Sequence, residues 1–259
     1  MTDVLIQLRG LRQPLLAQAD VARDSLQLNG RRVALTDLAC DVPTNGTVFG
    51  VLFNFPGELA ALGAAVNAAP YVAPPRAPVL YIKPINTWIG AGMPIELPAD
   101  VPAVRIGVSL GLVIGRTATR VAAANALDYV AGYTVVNDLT VPHESYYRPP
   151  LRENCRDGFC PIGPWIVGRE AVRDPAKLAL RAYVNGELRQ ENSTAALTRP
   201  IPQLLADITE FMTLNEGDVL MVGVPENRPL AKVGDRIAVE VEGVGRLENT
   251  LVAEAGAKS

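Results

Sequence analysis

Asp138 is the carboxylate of this chain most suggestively placed for chemistry. It closes the run Ala131-Gly-Tyr-Thr-Val-Val-Asn-Asp138, an apolar, strand-like segment that ends in two polar side chains. A carboxylate at such a point either serves a site or satisfies backbone donors at the strand end. Mg²⁺ would require several oxygen ligands, usually anionic ones with waters completing an octahedron, so Asp138 alone should bind it weakly. The cations able to handle an anionic ligand instead are Lys83, Arg148 and Arg156, because a guanidinium grips a carboxylate through two parallel hydrogen bonds. Tyr133 and Tyr147 could add hydrogen-bond donors. Plainer uses stand beside these: Lys83, just before Pro84, could form a structural ion pair, and Arg156 could pair with Asp157 to order a loop. The single histidine, His143, lies in a loop-like stretch before Glu144 and reads as exposed rather than as a base. Cys40, Cys155 and Cys160 are odd in number and lack a zinc-finger spacing, so they read as buried thiols.

The elements that must position these residues are mostly strands. Asn29-Gly30 sits between two alternating apolar runs and predicts a hairpin, so residues 1–45 read as a small N-terminal β appendage to a body over 46–255. In that body, Phe49 to Phe53 predicts a strand, followed by a helix starting near Pro56 and carrying Leu59, Leu62 and Val66. Val79 to Pro84 reads as a strand. Ile106, Val108, Leu110 and Leu112 alternate with small residues up to Gly115, which fits a strand buried on one face and closely packed on the other. Ala122 to Ala131 reads as a short helix, Val184-Asn-Gly-Glu187 as a second hairpin turn, and Arg236 to Glu242 as an alternating strand. Ile201, Leu204, Leu205, Ile208, Phe211 and Met212 recur at helical spacing. The fold class is therefore α+β, β-dominated.

Composition narrows the partners. At 259 residues and 49% hydrophobic the chain can bury a substantial core. A net charge of −3, with Lys and Arg scattered, offers no footprint for nucleic acid. The N-terminus lacks a signal-peptide pattern and no apolar run reaches the roughly 20 residues that span a bilayer. No membrane partner is expected, and the expected location is cytoplasmic.

Tyr81-Ile-Lys-Pro84, Leu112-Val-Ile-Gly115, Asp128-Tyr-Val-Ala-Gly-Tyr-Thr134, Asn137-Asp138, Val184-Asn-Gly-Glu187, Thr213-Leu-Asn-Glu-Gly-Asp218, Gly223-Val-Pro225 and Gly243-Val-Gly-Arg-Leu-Glu-Asn249 follow one another in that order. Together they resemble the fumarylacetoacetate hydrolase superfamily over roughly residues 47 to 252. Tyr146-Tyr-Arg-Pro149 and Cys155-Arg-Asp-Gly-Phe-Cys-Pro-Ile-Gly163 narrow the resemblance to the N-terminal-type subunit of the 4-hydroxyphenylacetate (homoprotocatechuate) degradation bifunctional decarboxylase/isomerases.

The resemblance implies the superfamily's C-terminal-domain-like fold, a mixed β-roll or sandwich with few helices. It implies a pathway role in which 5-oxopent-3-ene-1,2,5-tricarboxylate is decarboxylated and 2-hydroxyhepta-2,4-diene-1,7-dioate isomerised. A metal is normally held by a Glu-x-Glu pair and an Asp. Here Gly107 and Ser109 stand for the pair and only Asp138 remains, a vestigial ligand, so no cofactor is expected in this chain and Mg²⁺ or another divalent cation in a companion subunit. The catalytic His and its acidic partner correspond to Glu58 and Ala61, with Glu58 otherwise read as favourable to the helix dipole. The superfamily's arginine and lysine correspond to Pro142 and Asn154. Hydrolysis of a carbon–carbon bond is disfavoured.

The resemblance therefore assigns catalysis to Lys83, Arg156 and Asp138, and binding of a small di- or tricarboxylate to Tyr133, Tyr147, Arg148 and Thr194. The dienolate formed in both reactions needs positive charge or donors at its oxygen, which a cationic side chain would have to supply. Expected partners are a homologous metal-bearing companion, a second copy of the chain, or both. The other readings are a non-catalytic scaffold for that companion and, more remotely, an acylpyruvate-type hydrolase.

Overall fold

The computed structural model describes residues 1–143, 145–146 and 149–254. Among these, the chain is β-dominated, with Ile201–Phe211 its one long helix, so the α+β, β-dominated class expected from the periodicities is the class observed.

Two sheets face one another. The larger has eleven strands, in the order Arg31–Ala34, Ser25–Leu28, Leu15–Asp20, Thr2–Ile6, Cys160–Gly168, Val130–Asn137, Val108–Ile114, Val219–Met221, Val48–Leu52 and Val79–Lys83, with Trp88–Ile89 added beside Cys160–Gly168. The smaller has five, in the order Glu187–Ser193, Ala179–Val184, Arg236–Val241, Gly245–Ala253 and Pro94–Leu97. Leu110, Leu112, Tyr133, Val135, Trp165 and Val167 of the larger sheet meet Leu180, Ala182, Ile237, Val239, Leu247 and Leu251 of the smaller in the main core. Val113, Val136, Ile162, Ile166, Val219 and Met221 form a second cluster on the opposite face. Val108–Ile114 is consequently buried on both faces along its length, which explains its small residues: a Cβ at Gly111 would press on Thr134, Val136 and Val219.

Both hairpins form where the Asn-Gly pairs predict them, at Asn29-Gly30 and Asn185-Gly186, with positive φ at all four residues as such turns require. Thr2–Ile6 pairs with Cys160–Gly168, so the N-terminal strands extend the larger sheet.

Two helix expectations need correction. The helix at Pro56 runs only to Ala60 and gives way to a 3-10 segment, Gly63–Asn67, with Gly63 at φ +52°. Ala123–Tyr129 is a 3-10 segment rather than an α-helix, packed against Ile201–Phe211 and running directly into the next strand. The Ala123–Tyr129 contact is one-sided and does not demand 3.6-residue periodicity, whereas the stretch 56–67 buries no residue that would hold a longer helix. No described helix is long and apolar enough to cross a membrane.

Candidate functional site

The site gathers where two strands end and one loop returns. Tyr81 and Lys83 lie two apart on the edge strand Val79–Lys83, so both point to the same face, and both meet Asp138. The Lys83 ammonium is ion-paired to Asp138 Oδ1 at 2.7 Å, and the Tyr81 hydroxyl donates to Oδ2 at 2.8 Å. Lys83 is fully buried and also donates to the carbonyls of Leu139, Asn154 and Phe159 at 2.8, 2.8 and 3.2 Å. A buried ammonium with that many acceptors has its donors spent on the fold. Gly50, opposite Tyr81 in the pairing, is required because a Cβ there would enter the Tyr81 ring.

The return loop after Val219–Met221 brings a second cation. The Arg228 guanidinium donates through Nη2 to the Asp138 carbonyl, lies 3.4 Å from Asp138 Oδ2, and reaches the Ile106 carbonyl through Nε at 3.4 Å. Gly107 and Ser109 make this possible. A Cβ at Gly107 would sit 2.5 Å from Arg228 Nη2 and 2.6 Å from the Asp138 carbonyl oxygen. Ser109 donates to the carbonyl of Gly223 at 2.7 Å and so pins the start of the loop. Asn137 accepts from the Gly107 N–H at 3.0 Å, and Gly107 accepts from the Asp138 N–H at 2.7 Å, which locks the two strand ends together.

Glu58, in the first turn of Pro56–Ala60, reaches back to accept the Phe53 N–H at 3.0 Å. Phe53 is a non-glycine residue at φ +60°, a locally costly conformation of the kind that persists at functional turns. Phe53 and His143 both pack edge-on to Tyr146, with ring centroids 5.1 and 5.0 Å away.

The charges oppose one another in an instructive way. Burial would raise the Asp138 carboxyl, but the Lys83 and Arg228 charges and the hydrogen bonds from Lys83 and Tyr81 outweigh it and hold Asp138 below the ordinary range. Burial pushes Tyr81 well up, with Asp138 adding to it, so the phenol stays a donor. Burial also pushes Glu58 up to about 7, against the pull of Arg228 and the Phe53 N–H, with Asp138 and Glu226 raising it further. The folded chain therefore binds more protons at Glu58 than the unfolded chain between pH 4.5 and about 7, and Glu58 costs stability progressively as pH rises through that window. Glu58→Gln should gain thermal stability over the parent at pH 8 and little at pH 4.5. Melting curves at the two pH values check this, and an equal gain at both would contradict the raised carboxyl.

Of the residues expected to act, the structure brings Lys83 and Asp138 together and commits the other described ones elsewhere. Arg156 pairs with the exposed Asp100 at 3.5 Å and donates to the Arg152 carbonyl, while Asp157 accepts from Asn86 rather than pairing with Arg156. Tyr133 is buried in the main core. The Thr194 hydroxyl bonds Pro175 and Leu178 across two 3-10 turns. Tyr147 and Arg148 lie outside the described residues. His143, expected to be exposed, is half-buried, with Nδ1 3.1 Å from the Ser145 carbonyl. Cys40 and Cys160 are buried thiols, pushed by burial up to about 11 and about 12, and Cys155 is half-buried. Phe55 is in the core and Trp88 donates to the Lys83 carbonyl; neither contributes to the polar contacts of the Asp138 carboxylate.

Arg228 was not anticipated. It follows the Gly223-Val-Pro225 phrase by three residues, yet only the vacancy at Gly107 explains where it goes. A divalent cation does not fit these residues. A carboxylate side chain at position 107 would collide with Arg228, and the one carboxylate at the strand end already serves two cations. Among the described residues no three His, Cys, Asp or Glu groups are placed to hold a metal ion.

Comparison with known proteins bears on this geometry. The profile of the Fumarylacetoacetate (FAA) hydrolase C-terminal family matches residues 47–252. The chain is 39% identical over 252 residues to the 4-hydroxyphenylacetate degradation bifunctional isomerase/decarboxylase of Salmonella dublin, covering 96% of this chain and 54% of that protein. It is 45% identical over 209 residues to the homoprotocatechuate catabolism bifunctional isomerase/decarboxylase of Escherichia coli, covering 78% and 48%. The chain thus spans about half the length of these curated relatives. Among solved structures, the 5-carboxymethyl-2-hydroxymuconate delta-isomerase of Mycobacterium smegmatis superposes with a TM-score of 0.75 at 31% identity, over 98% of this chain and 100% of that one.

Proposed function

The chain belongs to the fumarylacetoacetate hydrolase C-terminal family, and from that premise we propose that it is a decarboxylase/isomerase unit of 4-hydroxyphenylacetate catabolism. Its substrates in this reading are 5-oxopent-3-ene-1,2,5-tricarboxylate and 2-hydroxyhepta-2,4-diene-1,7-dioate. The observation that carries the reading is the convergence of Lys83 and Arg228 on Asp138 at the end of the Val130–Asn137 strand. Both reactions pass through a dienolate, and fixed positive charge in a partly dehydrated site stabilises such an anion without reorganisation. The names of the relatives support the substrate class. In this reading Glu58 and Ala61 stand where the resemblance places a catalytic His and its acidic partner, which favours isomerisation and decarboxylation over hydrolysis.

A second reading has its own observation. Lys83 has all its acceptors within the fold, as a scaffold subunit would require. The purified chain should turn over one or both substrates, and turnover should survive EDTA, when assayed alone and mixed with a metal-bearing companion. Silence alone, with EDTA-sensitive activity only in the mixture, would make this chain the assisting partner.

A further inference from the structure

We propose that Arg228 is the resident cation of this site, a guanidinium that takes the strand-end oxygens a divalent ion would gather, so that the site is complete in charge without a metal and closed to one. The inference rests on the packing around Asp138 and holds whether or not the chain turns over substrate.

Four oxygens at the end of Val130–Asn137 are held by donors of the protein itself. Asp138 Oδ1 is ion-paired to Lys83 at 2.7 Å. Oδ2 accepts from the Tyr81 hydroxyl at 2.8 Å and lies 3.4 Å from Arg228 Nη2. The Asp138 carbonyl accepts from the same Nη2, and the Ile106 carbonyl from Arg228 Nε at 3.4 Å. Carboxylate and carbonyl oxygens around a positive centre are also what a hard divalent ion collects. Here a side chain collects them.

The space is taken as well. A Cβ at Gly107 would lie 2.5 Å from Arg228 Nη2 and 3.0 Å from its Cζ, so the guanidinium fills the volume a side chain at position 107 would need. Ser109, two residues on, donates to the Gly223 carbonyl at 2.7 Å and holds the loop that carries the arginine, in which Val224 and Pro225 are buried. One position leaves the room and the other anchors what enters it. With its side chain 14% exposed, Arg228 is packed into the site rather than laid over it.

Charge closes the site to a metal. Lys83 and Arg228 bring two positive charges to the one carboxylate of Asp138. The surplus is tolerated because backbone carbonyls accept from both, those of Leu139, Asn154 and Phe159 from Lys83 and those of Asp138 and Ile106 from Arg228. Among the described residues no second carboxylate is ion-paired to either cation. A divalent ion would add two charges of the same sign where little water screens them. Metal and guanidinium are therefore alternatives, and Arg228 must leave before a metal can enter.

Thermal melting of the full chain in EDTA and in millimolar Mn²⁺, with calorimetric titration of Mn²⁺, tests this without reference to turnover, so its failure and that of the isomerase reading are distinguishable. The parent should melt at the same temperature in both media and show no saturable Mn²⁺ binding tighter than about 1 mM. Arg228→Met should melt about 5 °C or more below the parent in EDTA, because two carbonyls and Asp138 lose a charged donor. Arg228→Glu exchanges the guanidinium for a shorter carboxylate and leaves the place of its head to an ion. This variant should melt low in EDTA and regain about 5 °C or more in Mn²⁺, a gain that Asp138→Asn in the same background removes. Mn²⁺ binding by the parent that is tighter than about 1 mM and lost in Asp138→Asn overturns the proposal. So does an Arg228→Met variant that melts within about 1 °C of the parent, or a folded Arg228→Glu variant indifferent to Mn²⁺. If Arg228→Glu does not fold in either medium, the parent titration and Arg228→Met still decide.

Discussion

Lys83→Met is expected to cost about 3–5 kcal/mol of folding stability, the range for removing one partner of a buried ion pair and leaving the other charged. The Asp138 side chain is only 6% exposed and Lys83 is fully buried, so Asp138 would lose its closest cation and three carbonyls would lose a donor. Asp138→Asn should cost less, because the ammonium keeps its three carbonyl partners. The double variant should recover part of the Lys83→Met loss. Urea unfolding at pH 7, followed by far-UV circular dichroism, measures all three, and a loss below about 1 kcal/mol in Lys83→Met would refute the buried pair. The same pair sets an acid limb. Against burial, which would raise it, the Lys83 and Arg228 charges hold Asp138 below the ordinary carboxylate range, so its contribution is present above that range and lost as pH falls through the lower folded-state value.

Asn54→Ala should cost about 3 kcal/mol, since each buried backbone group left unpaired costs about 1–3 kcal/mol. The Asn54 side chain is buried and donates to the Val222 and Arg199 carbonyls at 2.7 and 3.2 Å, while its oxygen accepts the Arg199 N–H at 2.8 Å. It ties the segment bearing Phe53 and Glu58 to the Gly223 loop and to the chain entering Ile201–Phe211. The loss of stability should therefore come with a loss of function, because Glu58 and Arg228 sit on the two segments it joins. Unfolding of Asn54→Ala beside Asn54→Asp, which keeps the acceptor and alters the donor, separates the contributions of the two halves of the amide. A cost under 1 kcal/mol in Asn54→Ala would mean that water replaces the amide and that the segments are not coupled there.

Several elements were legible because their causes are local. Asn29-Gly30 and Asn185-Gly186 turn where they must, as only such residues take positive φ cheaply. Ile201–Phe211 follows its 3.6-residue apolar spacing. The 3-10 segment Ala123–Tyr129 is not legible because one-sided burial leaves the helix type open, and Gly63–Asn67 is not because it buries no residue and Gly63 takes a positive φ. Asp138 could be singled out from its place at a strand end, and Tyr81 lay two residues from Lys83 in the same phrase. Arg228 could not be found this way, because its partner in the site is the missing side chain of Gly107, 121 positions earlier in the chain.

The sequence by itself determined the β-dominated class, the two hairpins, the long helix and the resemblance to the family. These follow from periodicity, turn chemistry and residue identity, which act within a few residues. Only the tertiary structure decided that Lys83 is spent on Asp138 and three carbonyls, that Arg156 and Thr194 are engaged elsewhere, and that Ser109 and Gly107 dock the loop bearing Arg228. Burial, and with it the charge state of Asp138 and Glu58, depends on what distant segments pack against a side chain, and no local pattern encodes that.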